Sequence, residues 1–483
     1  MHIKILKYAA IGLGVACLAM TDMSCTLPAS LTVHTKENKD TPANFKAYSP
    51  LDSVSTGKIS WKVFFTDQNL VNLIDSALGR NQELNIMRQE ITIRQNEIRA
   101  RKGEYLPFVG FGADGGVEKP GRYTPDGALE DQLAVKDGQR FPDPLTTVGL
   151  GLNASWELDI WRKLRNARKS AVLKYLGSVE GRNFAVTNIV REIANSYYEL
   201  MALDAQLVIL RQNIEIQTNA LEIVRMEKTA ARVTELAVRK FEAEVLKNQS
   251  RVFYIQQNII VTENRINFLV GRFPQPVARS TQNFLLMQPD TIHAGVPSQL
   301  LLNRPDIRQA ENTLASSKID VLVARAQFYP SVRITAGIGY RAFNAQYLLN
   351  PNSLMYGIAG DLMAPLVNRN ALKAQYFSAN ATQIQNVYDY ERTILNAYIE
   401  VANQVSNISN LKQSFELKQK QVEALVQSIA ISTRLFRNAR ADYMEVLMTQ
   451  RDALEARFEL VDTKLQQMNA MVNVYQALGG GWN

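Results

Sequence analysis

Residues 301–340 read LLNRPDIRQAENTLASSKIDVLVARAQFYPSVRITAGIGY, and the change of period inside this stretch decides the fold. Arg304-Pro305-Asp306-Ile307 reads as a helix start. Pro305 sits in the first turn, where its missing N–H costs nothing, and Asp306 and Glu311 lie near the positive end of the dipole. The helix stops at Phe328-Tyr329-Pro330. Beyond it Val332, Ile334, Ala336, Ile338 and Tyr340 alternate with Arg333, Thr335, Gly337, Gly339 and Arg341, so a helix feeds a strand with one apolar face.

The stretch has a twin 223 positions earlier, where Asn81-Gln82-Glu83-Leu84 aligns with Arg304-Pro305-Asp306-Ile307 and Tyr105-Leu106-Pro107 aligns with Phe328-Tyr329-Pro330. The twinning continues at an offset of 208, with Ser170-Ala171 under Ser378-Ala379 and Glu192-Ile193-Ala194-Asn195 under Glu400-Val401-Ala402-Asn403. A repeat of this length implies two copies of one substantial module rather than a solenoid.

Each copy carries a strand pair followed by a long helical region. In the first, Val148, Leu150, Leu152, Ala154, Trp156 and Leu158 alternate with small or polar residues. Strands of about 10 residues with this pattern suit a membrane barrel, and equally a soluble sheet with one wet face. Residues 119–144, rich in proline and glycine, read as a loop that the second copy shortens to a turn near Asn350-Pro351-Asn352.

From Arg162 to Val270 there is no proline, and from Asn370 to Leu478 neither proline nor glycine. Val186, Ile193, Leu200, Leu207, Ile214 and Leu221 recur every seven residues, as do Leu447, Leu454, Val461, Met468 and Tyr475, which is coiled-coil spacing. Thr229-Ala230-Ala231-Arg232 and Asn438-Ala439-Arg440-Ala441 interrupt the heptads and read as hairpin turns. The longer arm of each hairpin, about 65 residues, reaches roughly 100 Å at about 1.5 Å per residue.

The expected organisation is therefore a signal peptide over 1–24, an acylated extended tether over 25–66, and repeat 1 over 67–271. Repeat 1 holds short helices, a strand pair at 108–158 and a hairpin at 162–270. A connector at 272–298 follows, then repeat 2 over 299–483, with a helix at 304–327, a strand pair at 331–364 and a hairpin at 370–478. Lys4 and Lys7 precede an apolar run, Tyr8 to Met20, too short to span a bilayer as a helix. Cys25 after Ser24 resembles the acylated cysteine of a bacterial lipoprotein signal, although Asp22 stands where leucine is usual.

Composition excludes other classes. The net charge of +8 falls only to +7 without residues 1–24, and no basic cluster interleaved with aromatics suggests nucleic acid. Three histidines and two cysteines, one of them in the signal, leave no metal framework, no cofactor site and no hydrolase triad, so an enzyme is not expected. No phosphate-binding loop appears either. Four strands of one chain cannot close a barrel, and an open edge in lipid leaves backbone groups unpaired, so a membrane reading requires several chains. Three copies supply twelve strands and twelve helices.

The segments LLNRPDIRQAENTLASSKIDVLVARAQFYPSVRITAG, SWELDIWRKLRNARKSA, APLVNRNALKAQ and YQALGGGW resemble the TolC-type outer-membrane efflux proteins, in their lipid-anchored OprM/NodT branch, over about residues 45–483. The resemblance implies a mainly helical homotrimer, with a 12-stranded β-barrel of four strands per chain continued by a coiled-coil α-barrel. It also implies a passive duct for small molecules, partnered by a periplasmic adaptor and an inner-membrane pump. At the hairpin tips it points to Arg232, Glu235, Arg440, Asp442, Tyr443 and Glu445 as closing residues, with Ala230 and Ala439 where the family commonly has glycine. Arg304, Pro305 and Asp306 are assigned to structure. Trp156 and Trp161 are expected at the inner membrane boundary, each indole N–H in water. The competing reading is a periplasmic coiled-coil adaptor or tether without a pore.

Overall fold

The computed structural model describes residues 35–45, 55–136, 138–140, 142–280, 284–288, 293–438 and 440–482. Cys25, the signal segment and the tip residue Ala439 lie outside them. Trp61–Phe64 (α1), Gln68–Arg80 (α2) and Gln82–Glu104 (α3) lead into Phe108–Glu118 (β1). Asp67 caps α2 by accepting from the Asn69 N–H at 2.8 Å.

Residues 119–144 are not a bare loop. They fold into a short helix, Pro125–Gln132 (α4), and a small hairpin of Ala134–Lys136 (β2) and Gln139–Arg140 (β3). Thr124 accepts from Gly127 N–H and Pro125 occupies the first turn, so a local cap outweighs the surrounding breakers.

Leu145–Leu158 (β4) then feeds Lys163–Thr229 (α5), 67 residues long, and Glu235–Val270 (α6). The second copy repeats the order with Leu300–Asn303 (α7), Pro305–Ala326 (α8), Ser331–Ala342 (β5), Leu354–Met363 (β6), Asn370–Arg437 (α9) and Tyr443–Ala477 (α10). The four long strands form one antiparallel sheet in the order β1-β4-β5-β6.

Compactness does not follow the repeat. One compact unit contains Thr92–Tyr175 and Asn312–Val387, the other Glu37–Ile91, Leu176–Glu311 and Tyr388–Asn483, so both copies contribute to each. The first unit holds the sheet and an apolar cluster of Ala324, Phe328 and Tyr376, in which the two rings meet edge to face. The second holds the helical hairpins, whose cores include Leu210, Ile255, Leu454 and Phe458.

The duplication persists at the level of single hydrogen bonds. In copy 1, Asn81 Nδ2 donates to the Leu269 carbonyl at 2.8 Å, tying the start of α3 to the end of α6. In copy 2 the aligned residue is Arg304, which donates to the Ala477 carbonyl at 2.7 Å and thereby ties the start of α8 to the end of α10. Gly271 and Gly479 follow these helix ends with φ of +76 and +88. A Cβ would come within 2.7 Å of the Arg80 carbonyl at the first and 2.5 Å of the Asn303 carbonyl at the second. Both positions need glycine for conformation and for space.

Arg304 is nearly wholly buried, held by Asp306 at 2.8 Å and Glu400 at 2.8 Å. The described part of the expected tether is not a free extension. The Asn38 N–H donates to Glu391 at 2.8 Å, Lys39 pairs with Glu311 at 2.7 Å, and Phe45 is buried and stacked on Tyr398 at 5.3 Å. One aromatic side chain and two polar ties suffice to dock a segment whose composition reads as polar.

Arg304→Ala leaves a carboxylate network without its buried cation and is expected to cost about 3–5 kcal/mol. Asn81→Ala removes two neutral hydrogen bonds, one donated to the Leu269 carbonyl and one accepted from the Leu84 N–H, and is expected to cost about 1–3 kcal/mol. Denaturant titration of the detergent-solubilised protein measures both, and equal losses would contradict the distinction.

Candidate channel wall and helical tips

Cross-strand register sorts every side chain of the four long strands to one of two faces. On one face lie Val109, Phe111, Leu150, Leu152, Ile334, Ile338, Tyr356 and Ile358. On the other lie all six charged residues of these strands: Asp114, Glu118, Glu157, Arg333, Arg341 and Asp361. Between the charged positions this second face carries mostly glycine, Asn153, Ser155 and Thr335, and it lines two hollows in the sheet. One face thus has the chemistry of a lipid boundary and the other that of a wet wall.

Both outer strands, β1 and β6, have one edge without a partner strand among the described residues. Trp156 lies on the apolar face and donates its indole N–H to the Tyr105 carbonyl at 3.0 Å, and Trp161 donates to the Pro330 carbonyl at 2.8 Å while stacking on Tyr329. Both indoles satisfy their N–H on backbone oxygen rather than water, which corrects the sequence expectation.

At the tip of hairpin 1, Arg232 and Glu235 are exposed and Ala231 takes a φ of +53. A ladder of charges crosses from α5 to α6. Lys228 pairs with Glu235, Glu235 with Arg239 at 2.8 Å, Arg239 with Glu242 at 2.9 Å, and Arg225 with Glu222 at 2.8 Å and Glu242 at 3.6 Å. The Lys228 ammonium holds the Glu235 carboxyl below the usual range, with Arg239 adding to the effect. Sequence reading named Glu235 but missed Lys228, because a pair seven residues apart across a turn leaves no helical spacing to find.

The tip of hairpin 2 is built differently. Arg440, Asp442 and Glu445 are exposed, and among the described residues none has an ion-pair partner within the chain. Asp442 stands at the N-cap of α10 without a side-chain cap bond. Tyr443 is half-buried and packs against the apolar cluster of Leu221, Val224, Val238 and Phe241 that underlies tip 1. Of the six tip residues expected from sequence, the structure thus engages Glu235 and Tyr443 and leaves Arg232, Arg440, Asp442 and Glu445 at the surface. Among the described residues, no group of three or more His, Cys, Asp or Glu side chains could hold a metal ion.

A sheet with one apolar face, one charged face and open edges, in a chain whose longest helices run 67 and 68 residues, has the pattern expected of an outer-membrane duct. The chain belongs to the outer membrane efflux protein family, which matches at residues 73–272 and 296–480. It is 26% identical over 422 residues to the cation efflux system protein CusC of Escherichia coli O6:H1, covering 87% of this chain and 88% of CusC. It is likewise 26% identical over 432 residues to the solvent efflux pump outer membrane protein SrpC of Pseudomonas putida, covering 89% of each. The outer-membrane channel OprN superposes with a TM-score of 0.83 at 22% identity, over 95% of this chain and 100% of that one. The protein is a TolC-like outer-membrane efflux component, and the tether reading without a pore has no support among these relatives.

Ile338→Arg, on the apolar face of β5, is expected to cost about 2–4 kcal/mol per chain in the bilayer and to lower the amount of protein recovered from outer membranes. Thr335→Arg, on the opposite face, is expected to leave that amount unchanged. The tip 1 ladder also has a pH signature. Because the folded-state pKa of Glu235 is depressed, the contribution of its pairs is present above the ordinary carboxylate range and is lost as pH falls through the depressed value. Hydrogen exchange of the Lys228–Glu235 turn should be flat from neutral pH down to about 4.5 once corrected for intrinsic rate, and should accelerate below that.

Proposed function

We propose that three copies of this chain close into a passive duct through the outer membrane and periplasm, exporting small molecules delivered by partner proteins. The observation that carries the reading is the sheet itself. Its charges lie on one face and both of its edges are open, and in lipid each unpaired backbone group costs several kcal/mol. Copies joined edge to edge remove that cost, and three of them give twelve strands.

The helices support the same assembly. On α6, Leu246, Phe253 and Ile260, with Tyr254, Val261 and Phe268, form an exposed stripe at seven-residue spacing, and Phe253 and Phe268 are 72% and 76% exposed. Coiled-coil spacing of this kind seeks a partner helix, and a second copy of the chain supplies one.

The cargo is small and toxic. Relatives are named for efflux of cations and of solvents, which fits drugs, other toxic compounds or metals as cargo here. The partners are a periplasmic adaptor, meeting the helical tips, and an inner-membrane pump that supplies the energy.

Cys25 is the acylated anchor. Gln383 donates to the Thr35 carbonyl at 3.5 Å, and Gln383 lies 13 residues into α9, about 20 Å along a helix that begins near the strands. The ten residues from Cys25 to Thr35 span up to about 33 Å when extended, enough to return to the bilayer.

The gate is assigned to tip 2. Its free charges, Arg440, Asp442 and Glu445, are available to tie one copy to the next, with Arg232 of tip 1 as a further donor. Glu235 is occupied within its own hairpin, and Tyr443 acts as the apolar hinge between tips.

Light scattering of detergent-extracted protein, corrected for bound detergent, should return the mass of three chains. A stable monomer would overturn the duct. In planar bilayers Arg440→Ala with Asp442→Ala should raise conductance severalfold, and an unchanged conductance would remove these residues from the gate.

A further inference from the structure

Five of the six charges on the wet face of the sheet fall into two rows, and the sixth, Glu118, lies outside both, four residues beyond Asp114 on β1. The outer row is Asp114, Gly149 and Arg341, in register across β1, β4 and β5. The inner row is Glu157, Arg333 and Asp361, in register across β4, β5 and β6. Eight residues of β5 separate Arg333 from Arg341, about 26 Å at ~3.3 Å per residue, and the three rows between carry no charge.

In the outer row the two charges meet although a whole strand lies between them. Arg341 Nη2 donates to Asp114 Oδ2 at 3.1 Å. The intervening strand offers Gly149 at this point, where a Cβ would stand 2.7 Å from Asp114 Oδ1. Glycine leaves a saddle over which the carboxylate reaches its partner. In the inner row Lys163 donates to Glu157, and Arg333 faces Asp361 directly in register. Each row is thus balanced, acid for base, within one chain.

Granted the duct reading above, we infer that Asp114 and Arg341 cancel one another so that the outer row adds no charge preference to the barrel lumen. In a three-fold ring the outer row presents three acids and three bases, and neither sign of cargo gains by passing it. Removal of one partner leaves three like charges facing the lumen. Rings of charged side chains set the ion preference of a pore. Their reach is the screening length, about 30 Å at 0.01 M salt and about 3 Å at 1 M.

The test is the reversal potential of the full-length protein in planar bilayers under a low-salt KCl gradient. Arg341→Gln should shift it toward potassium and Asp114→Asn toward chloride. The double variant D114N/R341Q and the exchanged pair D114R/R341D should both return to the wild-type value, and all shifts should fade near 1 M salt. An Arg341→Cys pore, read before and after a cationic thiol reagent, gives the same sign test within one assembled protein should a single variant fail to assemble. Conducting single variants with the wild-type potential, or with shifts of the same sign, would overturn the inference while leaving the duct intact. Absence of current in every form, wild type included, would bring down the duct reading and this inference together.

Discussion

The backbone of an edge strand has nowhere to send its hydrogen bonds in hydrocarbon, and that constraint governs this molecule. β1 and β6 each offer an open row of N–H and C=O groups, and water cannot satisfy them inside a bilayer. The remaining features follow from meeting that demand. A sheet committed to lipid on one side must send its charges to the other, and all six do so. Long helices likewise need neighbours along their length, and the exposed heptad stripe of α6 matches that need.

The two copies solve the same joint with different chemistry. Asn81 and Arg304 occupy one position in the repeat, and each binds a carbonyl at the end of the long hairpin. The neutral amide needs only the Leu84 N–H for its oxygen. The guanidinium, once buried, requires Asp306 and Glu400 around it, so copy 2 carries an ionic network that copy 1 does without. The backbone geometry is more conservative than the side chains, since Gly271 and Gly479 make the same close approach to the same aligned carbonyls.

Local signals were legible in the sequence. The break at Phe328-Tyr329-Pro330 falls between the end of α8 at Ala326 and the start of β5 at Ser331, and the heptads without proline became α5, α6, α9 and α10. Signals that span the chain were not. Arg304 and Glu400 lie 96 residues apart, and Asp114 and Arg341 lie 227 apart, so neither pair has a spacing to recognise. The short helix α4 was hidden because its cap, Thr124-Pro125, sits among glycines that argue for a loop. The strap at residues 37–45 was hidden for a different reason: its composition is polar, and only Phe45 betrays that it docks.

The two tips hold their charges in different ways. Tip 1 closes its charges on itself through Lys228, Glu235 and Arg239, whereas at tip 2 Arg440, Asp442 and Glu445 have no ion-pair partner among the described residues. A ring built from six identical subunits cannot make that distinction, because any change at one tip is copied to all six. Fusing two modules in one gene halves the symmetry and frees alternate positions to mutate separately. In the three-chain ring proposed above, three braced tips then form a frame, and the three between them carry the charges assigned to the gate.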